Sequence, residues 1–261
     1  MSTDWLSRLT DALGPPRSVT PVRAGIWRVE IGGRGVCAKV GAGVVDEAVG
    51  LADLRAVAGV SVPGVVLVDA DLLVTDWITE DRRIQAHTER LGRALAALHG
   101  APWPDWGGGS GWIGACLVDN KTRPDGVAFY GGRLVDLAGR CGLVEPVQRV
   151  VGRLERLLPP GGPALLHGDL WWGNVLWGSD GEPWLIDPSV HGGHPEEDLA
   201  MLALFGALPD HLLGAYNEIA HLADGWRERV GLFQLYPLLV HAVLFGGGYR
   251  SQAEATARRY L

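Results

Sequence analysis

The stretch Leu165–Pro188, LLHGDLWWGNVLWGSDGEPWLIDP, carries the pattern that decides the fold. Its His-Gly-Asp triplet ends at Asp169, and Asn174 follows five residues later. A short strand is predicted over 175–177, a turn over 179–181 and a second strand over 184–186. This hairpin would return Asp187 to the neighbourhood of Asn174. The sequence therefore predicts that two carboxylates and one amide gather at one point.

Such a set of side chains fits the chemistry of phosphoryl transfer. The spacing of Asp169 and Asn174 matches the catalytic loop of kinases, in which four residues separate Asp from Asn. Asp169 is placed to take up the proton of an attacking hydroxyl. Asn174 and Asp187 supply the oxygen ligands that Mg²⁺ prefers when it neutralises the phosphates of ATP. The alternative is that the three residues only stabilise turns and a strand end.

Two charged residues and a glycine near the N-terminus fit the same chemistry. Lys39 lies near the end of a predicted strand, where its ammonium could hold the phosphates of ATP. Glu47, on the next predicted helix, could pair with Lys39 and fix its position. The alternative for Lys39 is an edge-strand surface lysine. A full glycine-rich loop is absent; Gly25 could allow close approach of the backbone to phosphate, and a plain turn explains it equally well.

Composition and charge limit the classes of partner. The chain has 261 residues, is 47% hydrophobic and carries a formal net charge of −7, without a basic stripe. Nucleic acid and an anionic membrane surface are therefore not expected partners. The longest apolar stretch, Leu235–Phe245, is too short to span a bilayer, and no signal peptide is expected at the N-terminus. Three separated cysteines favour reduced thiols in a cytoplasmic protein.

The order of predicted elements changes character near residue 80. Before it, a helix is predicted over 4–13, strands over 28–31, 36–40, 65–68 and 72–77, and a helix over 46–58. After it, helices are predicted over 90–99, 134–141, 146–158, 196–205, 211–222 and 226–245, with an irregular segment over 101–126. The layout predicts an α+β, protein-kinase-like bilobal fold. Residues 1–80 would form a small β-rich lobe that binds ATP, and residues 81–261 a large, mainly helical lobe with the catalytic loop and the substrate site.

With these residues in hand, the sequence resembles the fructosamine kinase family, or ketosamine 3-kinases, which share the aminoglycoside-phosphotransferase variant of the kinase fold. The resemblance spans roughly residues 20–250. It rests on Leu165–Asn174, Ile186–Pro188, His191–His194 leading into Glu196–Met201, Phe245–Tyr249, Gly111–Gly114 and Phe129–Leu134. It implies that ATP phosphorylates the 3-hydroxyl of a ketosamine, a fructosamine or ribulosamine. The adduct then becomes unstable and releases its amine, which is deglycation of a protein or metabolite.

The resemblance also implies roles for single residues. Asp169 resembles the catalytic base, and Asn174 with Asp187 the magnesium ligands. Lys39 resembles the phosphate lysine and Glu47 its partner. The segment Asp76-Trp77-Ile78 resembles the hinge whose backbone meets adenine.

Other residues are candidates for the substrate side. Trp172 could stack on a sugar, with packing as the alternative, and His191 is expected in a loop beside the active site. Asp198 either favours the dipole of its helix or braces the catalytic loop. The chain departs from the family pattern at Gly25-Ile26-Trp27, where Gly-x-Ile-Asn is usual. It also departs near Val118 and Gly126, where Gln and Trp are common, so the sugar end of the pocket could differ.

Two other functions remain open at this point. A kinase for another hydroxylated amine or sugar, such as an aminoglycoside or choline, would carry the same generic motif. A catalytically inactive ATP-binding protein is the alternative outside enzymes. The presence of Asp169, Asn174, Asp187 and Lys39 together argues against the inactive protein.

Overall fold

The computed structural model describes residues 4–108 and 111–261, and its N-terminal part is built on one antiparallel sheet. The strands follow the order β1-β2-β3-β5-β4 across the sheet. Their bounds are β1 Ser18–Arg23, β2 Ile26–Ile31, β3 Arg34–Val40, β4 Val65–Asp69 and β5 Leu72–Asp76. The helices of this part are α1 (Asp4–Leu13) and α2 (Val44–Arg55).

The two faces of this sheet have different neighbours. Successive strand residues point to opposite faces, and Val29, Val36 and Ala38 pack under α1 together with Trp5 and Leu9. The other face of the sheet packs against α2, because Leu73 of β5 belongs to the same buried cluster as two leucines of that helix. Lys39 follows Ala38 in β3, so its side chain points to the α2 face. This alternation places the lysine on the side of the sheet that faces the rest of the protein.

Strand β1 was not predicted from the sequence. All six of its residues are exposed, and Pro21 interrupts the pattern. Edge strands tolerate proline and need no buried face, so their sequences lack the alternation on which strand prediction depends.

The C-terminal part is mainly helical, as expected. Its helices are α3 (Gln85–Gly100), α4 (Gly126–Cys141), α5 (Val144–Val151), α6 (Leu154–Leu157), α7 (Pro195–Leu202), α8 (Asp210–Asn217), α9 (Trp226–Phe245) and α10 (Gly247–Arg258). Helices α4, α5, α9 and α10 share one buried cluster, and α3 packs on α8. In the described part of the chain, no helix combines the length and apolarity needed to cross a membrane.

The segment 101–126 is more ordered than predicted. It contains a hairpin of β6 (Gly111–Ile113) and β7 (Cys116–Val118), while residues 109 and 110 lie outside the described residues. Helix α4 begins at Gly126 rather than at 134, because the Asp125 carboxylate accepts the backbone N–H of Ala128 at 2.7 Å. Such a cap satisfies a donor at the helix start, and it adds two helical turns ahead of the apolar pattern.

Four short strands hold the central motif. Strand β8 (Ala164–Leu166) pairs with β11 (His191–Gly193), and β9 (Val175–Trp177) pairs with β10 (Pro183–Leu185). Both pairs are antiparallel. The β9–β10 hairpin predicted from the sequence is therefore confirmed. The two pairs bracket the His-Gly-Asp loop and Asp187, the second residue after β10.

Candidate active site

The loop that carries Asp169 is fixed by a close backbone packing. Ser189 donates its N–H to the carbonyl oxygen of His167 at 2.8 Å. Gly168 has φ +81°, and a Cβ at this position would lie 2.0 Å from the carbonyl oxygen of Ser189. Only glycine fits both the left-handed backbone and the lack of space. The glycine therefore lets the loop lie directly against the chain that follows Asp187.

Asp198, in the first turn of α7, holds the same loop from the other side. Its carboxylate accepts the backbone N–H groups of His167 at 2.8 Å and of Gly168 at 3.0 Å. His99 Nε2 lies 3.3 Å from the same carboxylate. Burial alone would raise the pKa of Asp198, but the contacts with His99, His167 and Gly168 lower it below its ordinary value. Of the two roles considered for Asp198, these contacts match the brace on the catalytic loop.

Asp169 is buried but lies on the wall of a cavity, with 9% of its surface exposed. Asn174 donates from Nδ2 to the backbone oxygen of Asp169 at 2.8 Å and to its Oδ2 at 3.3 Å. Burial and the nearby charge of Asp187 raise the pKa of Asp169 to about 8. A carboxyl group with a raised pKa is a better proton acceptor once ionised than an ordinary aspartate.

Asp187 occupies an unusual backbone conformation. Its φ is 54°, and among the described residues it is the one non-glycine residue with positive φ. Such conformations are costly and concentrate at functional sites. Ile186 donates its N–H to the carbonyl oxygen of Asn174 at 3.1 Å, which draws the end of the hairpin back to the loop. The predicted convergence of Asp169, Asn174 and Asp187 is therefore present in the structure.

A lysine and a glutamate from the N-terminal part complete this cluster. Lys39 Nζ lies 2.5 Å from Glu47 Oε2 and 3.1 Å from Asp187 Oδ1. Burial opposes the charged form of Lys39, but the carboxylates of Glu47 and Asp187 raise its pKa overall. Burial, opposed by Lys39, raises the pKa of Glu47. The pairing of Lys39 with Glu47 expected from the sequence is found, and Lys39 also reaches Asp187.

Two adjacent cavities meet at this charged cluster. The larger has a volume of about 570 Å³ and the smaller about 230 Å³. Both are lined by the same five residues at their junction: Arg23, Ile26, Lys39, Glu47 and Asp187. Asp169 and Asn174 line the larger cavity. The cluster thus lies between two spaces, which a two-substrate transfer reaction requires.

The predicted hinge lines the smaller cavity. Asp76 donates its N–H to Gly64 O at 2.9 Å, and Trp77 donates to Gly35 O at 3.2 Å. In the described part of the chain, the N–H of Ile78 has no backbone partner. Of the three hinge amides, that of Ile78 is therefore the one available to a ligand in this cavity.

Cys37 also lines the smaller cavity, two residues before Lys39. Burial and the charges of Asp187 and Glu47 raise the pKa of the Cys37 thiol to about 11. Since the thiolate is the reactive form, these surroundings disfavour oxidation of Cys37.

Gly25 lies in the two-residue turn between β1 and β2, with φ +76°. Its carbonyl oxygen accepts the N–H of Val40 at 2.8 Å, and a Cβ here would lie 2.9 Å from the Val40 oxygen. The turn and the tight packing explain the glycine. Gly25 also lines the larger cavity, so a ligand can approach its backbone.

The structure places the two substrate candidates away from the cavities. Trp172 lies near Trp177 at 6.3 Å between ring centroids, with the Arg83 guanidinium 5.2 Å above its ring. It lines neither cavity, whereas Trp171, just before the 3₁₀ turn at 172–174, lines the larger one. The sequence offered two adjacent tryptophans and no signal to choose between them.

His191 is buried beneath the catalytic loop, with 1% of its surface exposed. Its Nδ1 lies 2.8 Å from Ser189 O, and its Nε2 lies 3.0 Å from Arg133 Nη1. Arg133 is itself buried and also pairs with Glu197 at 3.1 Å. A substrate in the larger cavity would not reach His191. Its contacts support the loop from below. Arg133 belongs to the segment that carries the family resemblance, but its burial was not predicted, because a helical arginine usually faces water.

Near Gly126, where the family commonly has Trp, a different tryptophan packs against the backbone. A Cβ at Gly126 would lie 2.9 Å from the ring of Trp106, which packs on His194 with 4.6 Å between ring centroids. An aromatic ring from a different position in the sequence thus occupies the space beside Gly126.

The donor set suits a magnesium ion. Among the described residues, no group of three or more His, Cys, Asp or Glu side chains is arranged to hold a metal. Mg²⁺ is usually bound by one or two protein carboxylates together with phosphate oxygens and water. Asn174 directs its Nδ2 to Asp169, so its side-chain oxygen remains available as an acceptor, and Asn174 lines the same cavity as Asp187. The residues present therefore fit a magnesium ion held jointly with a nucleotide.

The fold defines the class of protein. The crystal structure of a macrolide 2′-phosphotransferase from Brachybacterium faecium matches with a TM-score of 0.65 and 15% identity, covering 98% of both chains. At this identity the likeness shows the fold, which is the aminoglycoside-phosphotransferase form of the protein-kinase-like fold. The predicted α+β kinase-like architecture is confirmed.

The family follows from closer relatives. The family model described as fructosamine kinase matches residues 39–261, and this chain belongs to that family. A crystal structure described as a "putative fructosamine-3-kinase" from Thermobifida fusca matches with a TM-score of 0.89 and 38% identity, covering 98% of this chain and 97% of that one.

Two curated relatives agree with this assignment. A protein of Synechocystis sp. described as a probable ketoamine kinase is 34% identical over 234 residues, 82% of this chain and 77% of that protein. A chloroplastic protein-ribulosamine 3-kinase of Oryza sativa is 35% identical over 186 residues, 66% of this chain and 54% of that protein.

Proposed function

We propose that this chain is an ATP-dependent ketosamine 3-kinase, which transfers the terminal phosphoryl group of ATP to the 3-hydroxyl of a fructosamine or ribulosamine. Membership of the fructosamine kinase family and the names of its relatives support this substrate class. The observation that carries the proposal is the convergence of Asp169, Asn174 and Asp187 with Lys39 where two cavities meet. A donor nucleotide and an acceptor hydroxyl could approach each other there.

Each residue of the cluster has a role in this proposal. Asp169 orients the acceptor hydroxyl and takes up its proton. Asn174 and Asp187 would hold Mg²⁺, which when bound supplies positive charge against the phosphates. Lys39 contacts the phosphates, and Glu47 keeps the ammonium in place through their 2.5 Å ion pair. All of these groups are fixed by other contacts before the substrates arrive, which lowers the cost of ordering them.

The smaller cavity is the proposed site of adenine. Its lining includes Leu51, Leu73 and Leu176, which suit a flat apolar ring. The free N–H of Ile78 can donate to an adenine nitrogen, as the hinge resemblance implies. The use of ATP is the basis for proposing that the protein works in the cytoplasm.

The larger cavity is the proposed site of the ketosamine. Trp103, Trp112 and Trp171 line it together with Asp169. A ketosamine is an amphipathic sugar that carries a protonated amine. Aromatic faces attract such cations and pack on sugar rings. These walls favour a glycated amine over a free sugar, which lacks the positive charge.

A substrate screen tests the proposal. The purified protein is given ATP and Mg²⁺ with ribulosamines, fructosamines, free sugars, choline and aminoglycosides, and ATP consumption is measured, with Asp169→Asn protein as the blank. We expect turnover with ketosamines, a product phosphorylated on the 3-hydroxyl by NMR, and subsequent release of free amine. Turnover with aminoglycosides alone, or phosphorylation at another hydroxyl, would overturn the assignment.

A further inference from the structure

Arg23 is the last residue of β1 and lines both cavities at their junction. Its Nη2 lies 2.8 Å from Oδ2 of Asp187, 164 residues further along the chain. The arginine is not part of the motifs that identify the family. The family pattern therefore does not explain the contact between Arg23 and Asp187.

Both carboxylate oxygens of Asp187 are engaged by cations. Lys39 Nζ lies 3.1 Å from Oδ1, and Arg23 Nη2 lies 2.8 Å from Oδ2. A carboxylate oxygen that accepts from a guanidinium cannot at the same time coordinate a divalent cation along the same direction. A nucleotide with its cation brings a competing positive charge to Asp187, which favours the release of one of the two side chains.

Arg23 is the side chain that can move. Lys39 is also held by Glu47, and 27% of its side chain is exposed. Among the described residues, Asp187 is the one carboxylate that pairs with Arg23, and 55% of the arginine side chain is exposed. Because the arginine side chain is exposed, water competes with this ion pair and solvates the guanidinium when the pair opens. Releasing Arg23 therefore costs little, whereas releasing Lys39 would leave Glu47 buried without its partner.

The backbone keeps the released guanidinium close to the site. Arg23 is paired with Ile26 across the turn that contains Gly25, with a shift in strand register between Pro21 and Arg23. Movement of the arginine is thereby confined to its side chain. Its guanidinium stays at the junction of the two cavities, where the phosphates of a nucleotide directed toward the acceptor have to lie.

We propose that Arg23 is a phosphate-binding residue, which exchanges the Asp187 carboxylate for the terminal phosphate of bound ATP. A guanidinium matches two phosphate oxygens with two parallel hydrogen bonds. Negative charge on the transferred group is spread over its outer oxygens during the reaction, and a nearby cation stabilises it. The inference deepens the proposed function and rests on ATP binding in this cleft.

Nucleotide titrations test the inference without any acceptor. Affinities for ADP and for a non-hydrolysable ATP analogue, both with Mg²⁺, are measured by calorimetry for the wild type, Arg23→Ala, Arg23→Lys and Arg17→Ala. Arg17 is a matched control, because it is exposed just before the same strand and lines neither cavity. Thermal unfolding checks that each variant is folded.

The expected result is selective. Because a charge-assisted contact is lost, Arg23→Ala should weaken binding of the ATP analogue about 10-fold or more while ADP binding changes about 2-fold or less. Arg23→Lys should keep part of the affinity, and Arg17→Ala should match the wild type. In ketosamine turnover, Arg23→Ala should lower kcat as well as raise KM for ATP.

Two results would overturn the inference. Equal losses for ADP and the ATP analogue would place Arg23 away from the terminal phosphate. If Arg23→Ala binds the analogue as tightly as the wild type or more tightly, and needs less Mg²⁺, then Arg23 only competes with Mg²⁺ for Asp187. The proposed function fails in a different way: nucleotides bind as predicted here, but no ketosamine is phosphorylated.

Discussion

The ammonium of Lys39 lies 3.1 Å from Oδ1 of Asp187 and joins the N-terminal sheet to the segment just after β10. The two residues are 148 positions apart in the chain. Since Lys39 also pairs with Glu47 of α2, one cation connects a strand, a helix and the candidate active site. The proposed phosphate site is therefore assembled from both parts of the protein.

The Lys39–Glu47 pair should behave as one unit. Lys39→Met and Glu47→Gln should each raise KM for ATP, and the double variant should lose less than the two single losses together. Contacting charged residues typically show a coupling of about 0.5–3 kcal/mol. Steady-state kinetics of the four proteins measure it. Strict additivity would mean that Glu47 does not act through Lys39.

Asp169→Asn should abolish most turnover while nucleotide affinity stays close to that of the wild type. General base catalysis contributes about 10²–10⁴-fold to rate, so kcat should fall within that range. Asp136→Asn, an exposed aspartate of α4, is the control and should leave kcat unchanged. An Asp169→Asn enzyme with normal kcat would remove Asp169 from the chemical step.

Asp187→Asn should raise the Mg²⁺ concentration needed for nucleotide binding, because an amide is a weaker ligand for a hard cation than a carboxylate. Titration of Mg²⁺ at fixed ADP, followed by calorimetry, gives the half-saturation point. The same half-saturation point in both proteins would argue that the cation is held elsewhere.

The adjacent tryptophans should differ in effect. Trp171 lines the larger cavity, so Trp171→Ala should raise KM for the ketosamine and leave KM for ATP unchanged. Trp172 packs near Trp177 and under Arg83, so Trp172→Ala should mainly lower the melting temperature. Steady-state kinetics and thermal unfolding of both variants distinguish a substrate contact from a packing role. The reverse pattern would restore Trp172 as the sugar-facing residue.

Asp198→Asn should destabilise the protein by about 3–5 kcal/mol, because an amide nitrogen would face backbone donors in a buried site. The pKa of Asp198 is lowered from its ordinary value of 3.8, so the folded state favours its charged form. The stabilisation is therefore complete above about pH 4 and is lost as pH falls through the folded pKa. The gap in unfolding free energy between wild type and variant should be constant from pH 8 to 5 and narrow below pH 4. A gap that is independent of pH down to 3 would contradict this.

Local spacing made the central loop predictable. Asn174 is five residues from Asp169, and the β9–β10 hairpin needs only a short turn to return Asp187, so the sequence alone indicated their convergence. The roles of these residues in catalysis stay predictions. The pairing of Lys39 with Asp187 depends on how two distant parts pack, and the kinase pattern rather than any local signal suggested that Lys39 belongs to the site.

Other features had no signal in the sequence. Strand β1 is exposed on both faces, and the choice between Trp171 and Trp172 depends on the dihedral angles of a single 3₁₀ turn. Arg133 is buried against the ring of Tyr236, with 3.6 Å from its guanidinium carbon to the ring centroid. Sequence patterns assign arginine to the surface, and only tertiary contacts with Tyr236 and Glu197 explain this one.

The positive φ of Asp187 has a consequence for how this family can diverge. Of residues with a Cβ, asparagine and aspartate tolerate this backbone best, and glycine adopts it without steric cost. A family member that loses the phosphorylation activity can therefore carry Asn or Gly in place of Asp187 and still fold. Replacement by valine or isoleucine would remove the negative charge and would also strain the backbone at this positive φ. Proteins with such a substitution should therefore fold poorly and be lost before they gain a new function.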